Sequence, residues 1–514
     1  MMQTFTSYPT LTAAIANGTY QGLYLPSFDQ DAFLGIPFAQ STADQNRFRI
    51  PQSLNATWTG LRSAHSYSEA CPDYSPGDWT YGVGENCLSI NIVKPAGCED
   101  KSLPVVMWIH GGSYQSGTSG LQNYNLSYIV EKSVQMGQPI VATSINYRKG
   151  GWGMLYSREG AGQTNLALRD MRKALEWVQE NIESFSGNKS QVTIWGESAG
   201  SFAVGQLLMM YGGRSDDLFH GSIQESGSAA TAWYNGSDWY QPIYDKIVSQ
   251  VNCTEAIDTL ACLRTVSYEE LYPYLNTSII DGPGWYPTVD GHTIPNYPTI
   301  LLEEGDFAHV PHLYGTNSDE GTDNAPADGV INTDDDLRWY LRTQTGFGFP
   351  NSTIEEILRL YPDDPTQGIP LDTGTERFEE HGYRYKRVAA IHRDTYMDRF
   401  NTRPTANYVD ALQANTTLNP DYKGVAHASE LGYVFNNPAF LGNEALSEQM
   451  AAQWINFIYY GNPNGADLPH WPTYDEGEQG LNLVLQPNSS YVEEDTYRLA
   501  GREYLTKWAR RRHV

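Results

Sequence analysis

Few strings leave a polypeptide as little conformational freedom as the one from Gln191 to Leu208. Gln191-Val-Thr-Ile-Trp195 is an apolar, β-branched run that passes straight into Gly196-Glu197-Ser198-Ala199-Gly200. Ser201-Phe-Ala-Val-Gly-Gln-Leu-Leu follows and suits a helix. Strand, one-residue turn and helix in that order put a serine at the sharpest point of the chain. Glycines flank it because side chains there would collide, and the Ser198 hydroxyl is left above a sheet at a helix N-terminus. As a bare string G-x-S-x-G says little; the flanking strand and helix give it weight.

Four further short runs, Leu103–Ile109, Pro139–Asn146, Gly221–Gln224 and His309–Gly315, carry apolar or β-branched residues before Gly-rich turns or helical periodicity. Buried parallel strands read this way. Between two of the runs lies Asn165 to Phe185, where Leu168, Met171, Leu175, Val178 and Ile182 recur at helical steps. Strand, helix and strand in succession imply right-handed crossovers and an α/β sheet. No internal repeat, low-complexity tract or Pro/Ser-rich linker divides the chain. Residues 1–514 therefore read as one α/β domain with a large, mostly parallel sheet.

Charge narrows the partners. Lys and Arg number 33 against 60 Asp and Glu, a net charge of −27. Nucleic acid needs concentrated basic residues, and the one dense run, Arg510 to Arg512, is a three-residue tail. No stretch of about 18 uncharged apolar residues is present to span a bilayer. The N-terminus lacks the basic and apolar regions of a signal peptide, so a secreted protein would here be already processed. Ten Asn-x-Ser/Thr sequons begin at Asn17, Asn55, Asn125, Asn188, Asn235, Asn252, Asn276, Asn351, Asn415 and Asn488. They favour secretion with N-linked glycans. Of five cysteines, Cys71 with Cys87 and Cys253 with Cys262 could form local pairs that leave Cys98 over; all five could equally be reduced. Their spacing does not resemble a zinc ligand set.

A serine hydroxyl is a weak nucleophile at neutral pH and needs a base, an acid to orient that base, and donors for the developing oxyanion. Val105-Val-Met-Trp-Ile-His110-Gly111-Gly112-Ser113 is a strand ending in a glycine-rich turn. Its backbone N–H groups can face a substrate because few side chains intervene. The donors are assigned to Gly112, Ser113 and Ala199.

Together these strings resemble the type-B carboxylesterase/lipase family of α/β-hydrolases, and most of all its secreted fungal carboxylesterases. Glu85-Asn-Cys87-Leu-Ser-Ile-Asn91, Asn165 to Ile182, Val192 to Gly200 and Gln224-Glu-Ser226-Gly-Ser all match family motifs in order. The likeness spans about residues 8 to 510 and implies an α/β-hydrolase fold with helical insertions after the nucleophile. It implies that Gly315-Thr-Asn317-Ser-Asp319-Glu320-Gly321 supplies the acid, Glu320 and not Asp319. His427, in Gly424-Val-Ala-His427-Ala-Ser-Glu-Leu-Gly-Tyr-Val-Phe435, is the implied base, and the order Ser198, Glu320, His427 is that of α/β-hydrolases. His110, the closest rival, is expected to shape the oxyanion loop.

The same resemblance implies an acyl-enzyme mechanism on small-molecule carboxylic esters, with no metal and no cofactor. Ser113 departs from the third glycine of most members but keeps its N–H. Glu197 and Ser226 align with a carboxylate and a hydroxyl beside the histidine, and Trp233 with a residue of the acyl pocket. The implied disulfides are Cys71–Cys87 and Cys253–Cys262. Only fifteen residues, Pro72 to Asn86, lie inside the first; closing a loop of about that length restrains the unfolded chain by ~3 kcal/mol and leaves little chain for a lid. Soluble esters with short to medium acyl chains are expected, with triacylglycerol lipase as the alternative. Trp79, where cholinesterases carry a choline-stacking tryptophan, suggests a cholinesterase-like alternative. Adhesion-type relatives that lack the serine fit less well, since Ser198, Glu320 and His427 are all present.

Overall fold

The apolar runs singled out as strands lie side by side. The computed structural model describes residues 11–74, 80–160, 162–276, 284–343, 348–396, 421–440, 443–487 and 489–511. In chain order its strands are β1 (Thr12–Ile15), β2 (Gly18–Gln21), β3 (Leu23–Leu25), β4 (Gln30–Pro37), β5 (Leu61–Ser63), β6 (Ser89–Pro95) and β7 (Leu103–Ile109). There follow β8 (Val141–Ile145), β9 (Gly187–Glu197), β10 (Gly221–Glu225), β11 (His312–Gly315), β12 (Leu481–Val484) and β13 (Tyr491–Glu494). Among the described residues one eight-stranded sheet has the order β11-β10-β9-β7-β8-β6-β4-β3. The run from β11 to β8 is parallel throughout, while β6 runs against both β8 and β4, and β3 against β4. The mostly parallel sheet is thus composed chiefly of the runs that the sequence marks. The last of them starts at His312 and not His309, because Pro311 has no N–H to give the ladder.

Helices cover both faces. The helix Leu166–Asn181 buries Leu168, Met171, Leu175 and Val178, and Ile182 continues the stripe into a 3₁₀ turn. Each fully buried side chain of this kind contributes roughly 1.5–3 kcal/mol. On the other face Trp108 and Trp195 meet Phe435, with ring centroids 4.9 and 4.5 Å away. Phe435 ends the apolar Tyr433-Val434-Phe435 segment that follows His427, so hydrophobic packing under β7 and β9 anchors the histidine loop. Beyond β11, the helices Asp334–Thr343, Asn351–Leu360 and Tyr385–Tyr396 build a separate apolar cluster.

Disulfides join Cys71 to Cys87 and Cys253 to Cys262, and Cys98 is a buried free thiol. Among the described residues no helix is long and apolar enough to cross a membrane. Trp79, the sequons at Asn415 and Asn488, and the side chains of Arg510 to Arg512 lie outside what is described.

Candidate active site

Ser198 caps β9 and opens the helix Ala199–Gly213 with φ 57° and ψ −124°, a conformation L-residues seldom adopt. A side chain at Gly196 would bring its Cβ within 2.4 Å of the Gly200 carbon, and one at Gly200 within 2.0 Å of the Ile109 oxygen. No other residue fits either place. The Ser198 N–H donates to the Glu225 carbonyl at 2.9 Å and the Ser226 N–H to the Gly315 carbonyl at 2.7 Å. The C-terminal ends of β9, β10 and β11 are thereby locked together around the serine.

His427 reaches Ser198 from its long loop. Its Nε2 lies 2.7 Å from Ser198 Oγ and its Nδ1 2.6 Å from Glu320 Oε2. The other oxygen of Glu320 accepts from Ser226 Oγ at 2.5 Å and from the Asn317 N–H at 2.7 Å. Asp319, beside Glu320 in the chain, is fully engaged elsewhere. Its carboxylate accepts the N–H groups of Leu371 and Val425, at 2.9 and 2.8 Å, and so pins the histidine loop. Gly424 makes this approach possible: a Cβ there would stand 2.5 Å from Asp319 Oδ2.

The electrostatics follow from burial. Glu320 is buried, which pushes its carboxyl up, but the His427 ring and the Ser226 and Asn317 donors together hold it below the usual range. Glu197 Oε1 lies 3.2 Å from His427 Nε2 and has no hydrogen-bond donor while that nitrogen faces the serine. It can receive Nε2–H once the ring is doubly protonated. Burial pulls the His427 proton affinity down, yet Glu197 and Glu320 outweigh it and hold the ring above the ordinary imidazole value. Catalysis that needs a neutral ring is lost as pH falls through this raised value. Glu197→Gln is accordingly expected to shift the acid limb of kcat/KM to lower pH. A profile identical to the wild type would show that Glu197 exerts no field on His427.

The oxyanion candidates sit opposite. Gly112 has φ 102°, and a Cβ on it would strike the Ser116 carbonyl at 2.4 Å. Ser113 and Tyr114 follow at φ 56° and 59°. The carbonyl of Gly112 accepts from the N–H groups of Gln115 and Ser116, which closes the turn. The Ser113 side chain is exposed, so the departure from glycine neither fills the core nor removes an N–H. Ala199 is the first residue of its helix, where N–H groups have no internal acceptor. Gly111 lies close by, with Ser198 Cβ 2.9 Å from where its own Cβ would be. His110 stacks on Tyr147 at 4.5 Å, and burial holds its ring down at about 3. It is a neutral wall of the loop. Trp233 is half-buried, tilted 5.4 Å from the Tyr286 ring.

Two acids went unmarked in the sequence. Glu430, three residues past His427, accepts from Asn317 Nδ2, and burial, reinforced by Glu320, raises it to about 7. Glu225 receives both the Trp195 and the Trp454 indole N–H, at 2.8 and 2.5 Å, and burial drives its carboxyl well up. The spacing from His427 could have flagged Glu430. Nothing local could have flagged Glu225, whose tryptophan partner at 454 lies far along the chain.

A serine on a strand-to-helix turn, an acid after a later strand and a histidine after that define an α/β-hydrolase. The crystal structure of Aspergillus niger EstA superposes with a TM-score of 0.80 at 26% identity, covering 98% of this chain and 99% of that one. Residues 9–358 and 374–500 match the carboxylesterase family, and the chain belongs to it. Lipase 4 of Diutina rugosa is 33% identical over 96% of this chain and 95% of its own length. The secreted triacylglycerol lipase LIP1 of Gibberella zeae is 30% identical over 96% and 90%. Family, fold and these relatives make the protein a serine carboxylic ester hydrolase.

Proposed function

We propose that Ser198 is the nucleophile, His427 the general base and Glu320 the acid of an esterase acting through an acyl-enzyme. The observation that carries this is the unbroken chain of hydrogen bonds, 2.7 and 2.6 Å, from a conformationally forced serine to a buried carboxylate. His427 accepts the Ser198 proton as Oγ attacks the ester carbonyl; Glu320 fixes the tautomer and stabilises the charged ring. The N–H groups of Gly112, Ser113 and Ala199 receive the oxyanion. The ring then gives its proton to the leaving alcohol, and water, activated by the same ring, releases the acid. Glu197 and Ser226 act around the histidine, and Trp233 bounds the acyl pocket. One α/β-hydrolase domain carries all of these groups.

The preferred substrates are soluble esters of short to medium acyl chains. The Cys71–Cys87 bridge, sixteen residues apart in sequence, leaves little chain for a mobile apolar flap. Likeness to fungal lipases supports the second reading, a triacylglycerol lipase. Rates with tributyrin through its solubility limit separate the two: a smooth approach to saturation is expected, and a jump when emulsion appears would establish the lipase. The secreted relatives and the sequons support an extracellular, N-glycosylated enzyme. Loss of mass on endoglycosidase treatment of the protein from a secreting eukaryotic host tests the glycans.

A further inference from the structure

Residues 147–150 leave the end of β8 and form a platform under the turn that bears Gly112 and Ser113. Three of them each hold one carbonyl of that loop. The Tyr147 hydroxyl donates to the His110 carbonyl at 2.8 Å, the Gly150 N–H to the Tyr114 carbonyl at 2.7 Å, and the Lys149 ammonium to the Gly117 carbonyl. Arg148 grips Asp170 of the helix Leu166–Asn181 through two contacts, 2.8 and 2.6 Å, so the platform is itself fixed to the core.

Lys149 differs from the other two anchors because it brings a charge. Its ammonium is 2.8 Å from Asp73 Oδ2, and the two side chains are 0% and 1% exposed. Stripping water from two such ions is costly, and apolar replacements for buried pairs are often as stable or more so. Stability alone is therefore a poor reason to find the pair here. The turn above it supplies a better one. Gly112, Ser113 and Tyr114 are three successive residues at positive φ, and non-glycine residues in that region are strained and persist only when their surroundings over-determine them.

We propose that Lys149 is a positioning residue for ester hydrolysis. By tying down the Gly117 carbonyl it keeps the strained turn wound, with the N–H groups of Gly112 and Ser113 aimed at Ser198. Asp73, two residues beyond Cys71, couples this anchor to the disulfide-closed loop. The inference rests on reading the turn as the oxyanion hole.

The test uses Lys149→Met and the charge-free double variant Lys149→Met with Asp73→Leu, assayed on p-nitrophenyl butyrate and with a trifluoromethyl ketone, which forms a hemiketal oxyanion on the serine. Misplaced donors act on the transition state, so both variants should lose about 10- to 100-fold in kcat with KM changed less than about threefold. Ketone affinity should fall by the same factor. Wild-type kcat and ketone affinity in either variant would overturn the proposal. So would recovery confined to the double variant, which would trace the damage to the orphaned Asp73 carboxylate, and so would a double variant that does not fold. A wild-type enzyme indifferent to the ketone would instead remove the oxyanion reading, and the proposal with it.

Discussion

Replacing Ser198 by alanine should lower kcat on p-nitrophenyl butyrate by about ten-thousandfold to a millionfold, while leaving the protein folded. The alanine variant keeps the donors at Gly112, Ser113 and Ala199 and keeps His427 on Glu320, so it retains only what binding and oxyanion stabilisation give to attack by water. Structurally the loss is slight. One hydrogen bond to His427 Nε2 disappears, a net contribution of about 1 kcal/mol. The strained backbone at φ 57° is held by neighbours that the substitution does not touch, above all the Glu225 carbonyl. Circular dichroism and a melting curve should therefore overlay those of the wild type. Turnover at the wild-type rate would end the assignment of Ser198, whatever else the fold suggests.

How much of this was legible beforehand depended on whether the cause was local. The turn at Ser198 is dictated by residues within ten positions of it, and the run Leu103–Ile109 advertises its burial by unbroken apolarity. Those elements appear where the sequence places them. By contrast β6 and β4 carry Asn91, Lys94, Gln30 and Asp31 inside the structure, each with a distant partner: Lys94 on Asp31 at 2.9 Å, Gln30 on the Ser127 carbonyl at 2.8 Å. Polar residues partnered across tens of positions hide a buried strand from any local reading. The site shows the same division. Ser198 declares itself through its turn, whereas Glu320 and His427 stood out only through family motifs. Their neighbours Glu225, Glu430 and Lys149 acquire meaning only when the chain folds Trp454, Asn317 and Gly117 against them.

Glu320→Gln should reduce kcat nearly as much as loss of the serine, by roughly ten-thousandfold, with little change in KM. The size of the carboxylate is preserved, so Ser226 Oγ and the Asn317 N–H still find an acceptor. What changes is the proton on His427. A carboxylate 2.6 Å from Nδ1 can only accept, which obliges Nδ1 to carry the hydrogen and leaves the Nε2 lone pair for Ser198. An amide turned to donate there reverses the tautomer, and Nε2 then offers a hydrogen where it should take one. The charge matters as well. Glu320 is ionised throughout the working range because its neighbours hold it below the ordinary carboxylate value, and it is among the groups that raise His427. Activity in the wild type disappears as pH falls through that raised value; with the charge gone, the ring gives up its proton at lower pH and the acid limb must move the same way. A glutamine variant with kcat within tenfold of the wild type, or with an unmoved limb, would place the acid elsewhere.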